Sequence, residues 1–158
     1  MDFKLLWAII LTIMPVTELR AGLPLALIYA RDNGIPTWLI FSLIVLINIL
    51  VILLVFYFLD NLHKLFLKIK IYRRFFEKYL ERFQKKVDKF ENKYSTVGFL
   101  ALVAFVAVPL PGTGAWTGCL ISWLLDLDRK KSMFAIAAGV ILAGVFILLG
   151  TLAFFSFL

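Results

Sequence analysis

The sequence predicts an all-α integral membrane protein of two inverted repeats, each a re-entrant helical hairpin plus one transmembrane helix, joined by a long basic amphipathic helix. Three observations carry that prediction. Of 158 residues, 63% are hydrophobic and only 17% charged, with a mean hydropathy of +0.96, whereas a soluble domain draws its polar skin from about 25% charged residues. Two uncharged runs of about 23 and 27 residues are long enough to cross a hydrocarbon layer, while the other apolar runs are roughly half as long and stop at Pro/Gly-rich breaks. Finally, an offset of 96 positions lays Pro15 on Pro111, Thr17 on Thr113, Gly22 on Gly118 and Asp32 on Asp128 without a gap, and the order of elements repeats with them.

The first element, residues 3–34, reads as a hairpin. Its apolar run 5–14 is too short to span about 30 Å of hydrocarbon and ends at Pro15. A signal peptide is disfavoured, because Asp2 and Lys4 cancel and the stretch after the run holds Arg20 and no small-residue cleavage pattern. A second short apolar piece returns to Arg31-Asp32-Asn33-Gly34. Pro36 suits a helix start, and residues 36–59 then form the first transmembrane helix.

Residues 60–94 hold 11 Lys/Arg and 5 Asp/Glu, with apolar side chains mostly three and four positions apart from Leu62 to Tyr94. This spacing predicts an amphipathic helix on the membrane surface, its lysines against anionic headgroups. A heptad seam at Ile69, Phe76, Phe83 and Phe90 fails at its partner position, which runs Tyr72, Tyr79, Lys86, Lys93. Nucleic acid is the less apt partner for a basic segment set between membrane elements.

Residues 95–128 repeat the hairpin pattern around the break Pro109-Leu-Pro111-Gly-Thr-Gly114-Ala-Trp-Thr-Gly118, and residues 132–158 form the second transmembrane helix, with Ala135, Gly139 and Ala143 as a small-residue packing stripe. The basic segment 60–94 and Arg129-Lys-Lys131 should lie in the cytoplasm, and the loop before Pro36 outside. The hairpins then enter from opposite faces, an arrangement typical of secondary transporters. One protomer is small for enclosing a solute path, so a homodimer is expected.

Irregular backbone at membrane depth must be buried in protein or line a wet cavity, so the two tips should face each other, with the N-termini of the return helices, near 18–22 and 114–118, turning positive dipole ends toward an anionic group such as a phosphate or carboxylate. Glu18 and Arg20 are the only charges expected deep in the membrane and are the first site candidates. Glu18 suits a proton carrier or the counter-charge of a cationic solute, and Arg20 a phosphate clamp, unless the two simply pair or cap half-helices. Pro15, Thr17, Gly22, Pro109, Pro111, Thr113, Gly114, Trp116 and Gly118 shape the two tips, and Asn48 in mid-span bonds a neighbouring helix or touches solute. Thr17, Thr113 and Thr117 suit helix capping more than solute binding. Cys119 is the only cysteine and His63 the only histidine, so no metal, cofactor or hydrolytic constellation is supplied and an enzyme is not expected.

The stretches Pro15-Val-Thr-Glu-Leu-Arg-Ala-Gly-Leu-Pro24 and Val108-Pro-Leu-Pro-Gly-Thr-Gly-Ala-Trp-Thr-Gly118 resemble the two signatures of the prokaryotic small multidrug export protein family. That family is itself similar in layout to the DedA and VTT membrane proteins, implicated in proton-coupled transport of polyprenyl phosphates and in lipid scrambling. The resemblance implies a proton-coupled exporter of small lipophilic or phosphate-bearing solutes, with Glu18 and Arg20 matching charged residues of the DedA first hairpin. DedA proteins usually carry an arginine in the second tip, where this chain has Thr113, Gly114 and Trp116. A non-transporting scaffold, docking through the basic helix, is the competing class.

Overall fold

A computed structural model describes residues 3–66, 91–110 and 112–156. The described residues form six helices and no strand: α1 (Phe3–Ile13), α2 (Glu18–Asp32), α3 (Thr37–Phe66), α4 (Glu91–Ala107), α5 (Ala115–Leu124) and α6 (Arg129–Ser156). Two of them are long and apolar enough to cross a membrane, over Thr37–Asn61 and Arg129–Ser156. The middle of the expected basic helix lies outside the described residues. Its start continues α3 through Asp60 to Phe66 without a break, and its end is the first turn of α4.

At 1.5 Å per residue, the 11 residues of α1 reach about 16 Å and the 10 of α5 about 15 Å, half of what a hydrocarbon core requires. α1 and α2 pack along each other, and Lys4 Nζ meets Asp32 Oδ2 at 2.6 Å, so the open ends of this helical hairpin lie side by side. Beyond Asp32, Gly34 at φ +66 lets the chain turn into α3.

Contacts at both ends show α3 and α6 to be antiparallel. Asp60, late in α3, accepts from Arg129 Nη2 at 2.6 Å, and the same guanidinium lies 4.4 Å from the Phe56 ring centre. At the other end Arg31, just before α3, lies 5.0 Å from the ring of Phe155. Small residues bring α6 close to its neighbours. A Cβ on Gly139 would stand 2.6 Å from Val106 Cβ of α4, and one on Gly144 3.1 Å from Val45 of α3. Ala135, Gly139 and Ala143 are all buried, as the stripe predicts.

The sequence of short helix, break, short helix and long helix therefore occurs twice, but the two halves pack differently. α1 lies mainly on α2, whereas α4 lies mainly along α6 and meets α5 only locally. The second hairpin is the more splayed of the two. Outward faces of the long helices stay apolar: Leu39, Leu43, Leu46, Leu50 and Leu54 on α3 and Phe134, Ile141, Phe146 and Leu149 on α6 are exposed.

Candidate functional site

The two tips meet beside the midpoints of the long helices. Asn48, twelfth in the 25-residue span Thr37–Asn61 of α3, donates from Nδ2 to the carbonyl of Thr12 at the end of α1, at 3.1 Å. Val140, twelfth in α6, and Ala143 face the same place. Between them lies a cavity of about 10 Å³, lined by Glu18, Leu19, Arg20, Asn48, Val106, Gly114, Ala115, Val140 and Ala143. That is room for no more than one water, so the tips are closed on each other.

Glu18 is what closes them. Its side chain is 3% exposed, its Oε2 accepts from the backbone N–H of Ala115 at 2.9 Å and its Oε1 from that of Trp116 at 3.1 Å. The first N–H groups of a helix have no partner inside it and carry the positive end of its dipole. The carboxylate of the first tip thus caps the return helix of the second, where the sequence had left open a binding place for a solute anion. The approach depends on Gly114, because a Cβ there would stand 1.5 Å from Oε2 and 2.3 Å from Cδ of Glu18. Glu18 holds φ +45, a left-handed conformation costing a side-chain-bearing residue about 1 kcal/mol or more.

Arg20 ties the pair to the rest of the second tip. Its Nη1 lies 3.3 Å from Glu18 Oε2, while Nη2 donates to Thr113 Oγ1 at 2.8 Å and to the Val108 carbonyl at 3.2 Å. Thr113 Oγ1 in turn sits 2.7 Å from the Val108 carbonyl and 2.9 Å from that of Leu110, and its one proton goes to one of them. The loop reaches this geometry through Gly112 at φ +83, inside the turn closed by Thr113 N–H on the Leu110 carbonyl. Trp116 adds a second clasp, donating from Nε1 to the Ile13 carbonyl at 3.1 Å.

Of the residues singled out in the sequence, Glu18, Arg20, Thr113, Gly114, Trp116 and Asn48 are brought together. Gly22 and Gly118 serve close packing behind them, against Thr12 and Val106 respectively. Pro15 and Pro109 are exposed on the outer side of the tips, and Pro111 lies outside the described residues. The expectation of threonine caps gives way to other bonds: Thr17 donates to the Leu11 carbonyl at the end of α1 and makes no cap bond to α2, while the residue before α5 is Gly114. Sequence reasoning had the start of the return helix near 114–118 facing an anion, and a capping role for Glu18 among its alternatives, and the bonds from Ala115 and Trp116 fall there. It missed the carbonyls of Thr12 and Val108, since backbone carbonyls leave no mark in residue type.

Among the described residues no group of three His, Cys, Asp or Glu side chains could hold a metal ion. Two long apolar helices, short helices meeting at their midpoints and a buried ionic clasp define a helical protein built for lipid. Residues 18–146 match the sequence profile of the family described as "Putative small multi-drug export protein", and the chain belongs to that family. The matched segment contains Glu18 and Arg20 of the first tip, the whole second tip and most of both long helices. No curated protein and no solved structure matches the chain. Family and apolar helices together point to a membrane protein with an export role, which is not an enzyme class.

Proposed function

We propose that the protein is a proton-coupled secondary transporter that exports small lipophilic solutes through a path gated by the two hairpin tips. The observation that carries this reading is the clasp of Glu18 on the N-terminus of α5, beside the midpoints of both long helices. In a bilayer, hairpins of this length dip halfway in and expose irregular backbone, which only a protein-lined or wet path tolerates.

The chemistry of coupling follows from the donors around Glu18. Three N–H groups converge on its carboxylate, two from α5 and one from Arg20. A proton on Glu18 cancels the attraction to Arg20 and to the dipole of α5, and turns one oxygen from acceptor into donor. The clasp loosens, the tips part and a solute passes; loss of the proton on the other side draws the tips together again.

The test is transport in vesicles of the purified protein, using a fluorescent lipophilic cation and an imposed pH gradient. Glu18→Gln is expected to reduce gradient-driven movement at least about tenfold and to abolish its pH dependence. Movement and pH dependence that survive this substitution overturn the reading.

One observation favours a second substrate class. Arg20 and the N–H groups of Ala115 and Trp116 form a cationic cradle, which would suit the phosphate of a polyprenyl phosphate or phospholipid whenever Glu18 leaves it. Transfer of a labelled phospholipid between leaflets, lost in Arg20→Ala but not stimulated by a pH gradient, would mark a flippase or scramblase instead.

A further inference from the structure

Two buried side-chain atoms in the described residues lack a hydrogen-bond partner, Arg20 Nε and Asn48 Oδ1. One is a donor and the other an acceptor, and both residues line the cavity that Glu18 also lines. Asn48 is fully buried, and its amide cannot turn round to relieve the acceptor, because Nδ2 is committed to the Thr12 carbonyl. A buried water needs two to four polar partners and at least 10–15 Å³, and this cavity of about 10 Å³ offers three partners at the lower edge of that size.

We infer that the cavity is the site of a single water, held between Arg20 Nε and Asn48 Oδ1, through which the proton reaches and leaves Glu18. The inference rests on Glu18 being the proton carrier proposed above. The step is balanced: the carboxylate takes a proton from the water as the water receives one from the aqueous side, and no charge stays on the water. Asn48 is a positioning residue, acting through the water. The remaining lining side chains, Leu19, Val106, Ala115, Val140 and Ala143, offer no polar group. Among the described residues, the charged and titratable groups facing Glu18 are Arg20 on its own helix and the Cys119 thiol on α5, while α3, α4 and α6 turn only Asn48 and apolar residues to the cavity.

The test is infrared difference spectroscopy of the full-length protein in lipid vesicles during a pH titration, in ordinary and ¹⁸O-labelled water. A water-stretch band that shifts with the isotope and changes as Glu18 titrates is expected in the unaltered protein. It should disappear in Asn48→Leu, which removes the acceptor, and in Ala143→Val, which fills the space from α6. Proton uptake by Glu18 after a pH jump should slow at least about tenfold in both. Should Asn48→Leu fail to assemble, Ala143→Val still decides the matter. No isotope-sensitive band in the unaltered protein, or a band and uptake rate that persist in an assembled variant, overturns the inference. If coupling is nevertheless lost in Glu18→Gln, only the water falls; if Glu18→Gln still couples, the carrier reading falls as well.

Discussion

Glu18 and Gly114 act as one unit, a long acid reaching into the space left by a missing side chain. Gly114→Ala places a methyl group on the carboxylate, so it should unseat Glu18 and lose transport as Glu18→Gln does. Losing two charge-assisted bonds is expected to cost about 2 to 3 kcal/mol of stability, measurable as a lower unfolding midpoint in detergent. The other two ion pairs seen among the described residues behave differently. Lys4 with Asp32 and Arg129 with Asp60 are each about half exposed, and exposed pairs contribute about 0 to 1 kcal/mol. Asp60→Asn should therefore leave the unfolding midpoint nearly unmoved. At this scale the sequence was half legible: Glu18, Arg20 and Asn48 stand out as polar groups among apolar residues, but beyond the bonds of Arg20 to Glu18 and Thr113 their partners are backbone groups, which no residue name reveals.

Helix lengths and breaks were legible because proline, glycine and charge punctuate an otherwise apolar chain. The starts of α2 and α5, at Glu18 and Ala115, fall where the Pro/Gly-rich breaks place them. The packing of helices was not legible, because apolar faces in lipid carry little information about which neighbour they meet. Thus the repeated element order hid the fact that α4 prefers α6 to its own return helix. Gly139 is the residue that permits this contact. Gly139→Ala would push a Cβ to 2.9 Å from the Val103 carbonyl and 2.6 Å from Val106, backbone and stiff side chain with no easy retreat. It should destabilise the protein by about 1 to 3 kcal/mol. Gly150 on the same helix has nothing within 4 Å of its missing Cβ, so Gly150→Ala is the matched control and should be neutral or slightly stabilising.

Across the whole molecule, exposed ion pairs among the described residues mark two levels, Lys4 with Asp32 at one and Asp60 with Arg129 at the other. With Cys119 replaced by alanine, a cysteine at Asp32 should react with an impermeant thiol reagent from outside the cell. A cysteine at Asp60 or Arg129 should react only from the cytoplasm. Reaction of all three from one side would refute the proposed orientation. The bond between Glu18 and Ala115 joins residues 97 positions apart, and this shapes how the chain is made. A ribosome delivers the acid and its neighbouring arginine long before their counterpart exists. Until translation supplies α5, the early hairpin has only its own charges to shelter one another, so it should wait near the translocon or the headgroups and settle into place last.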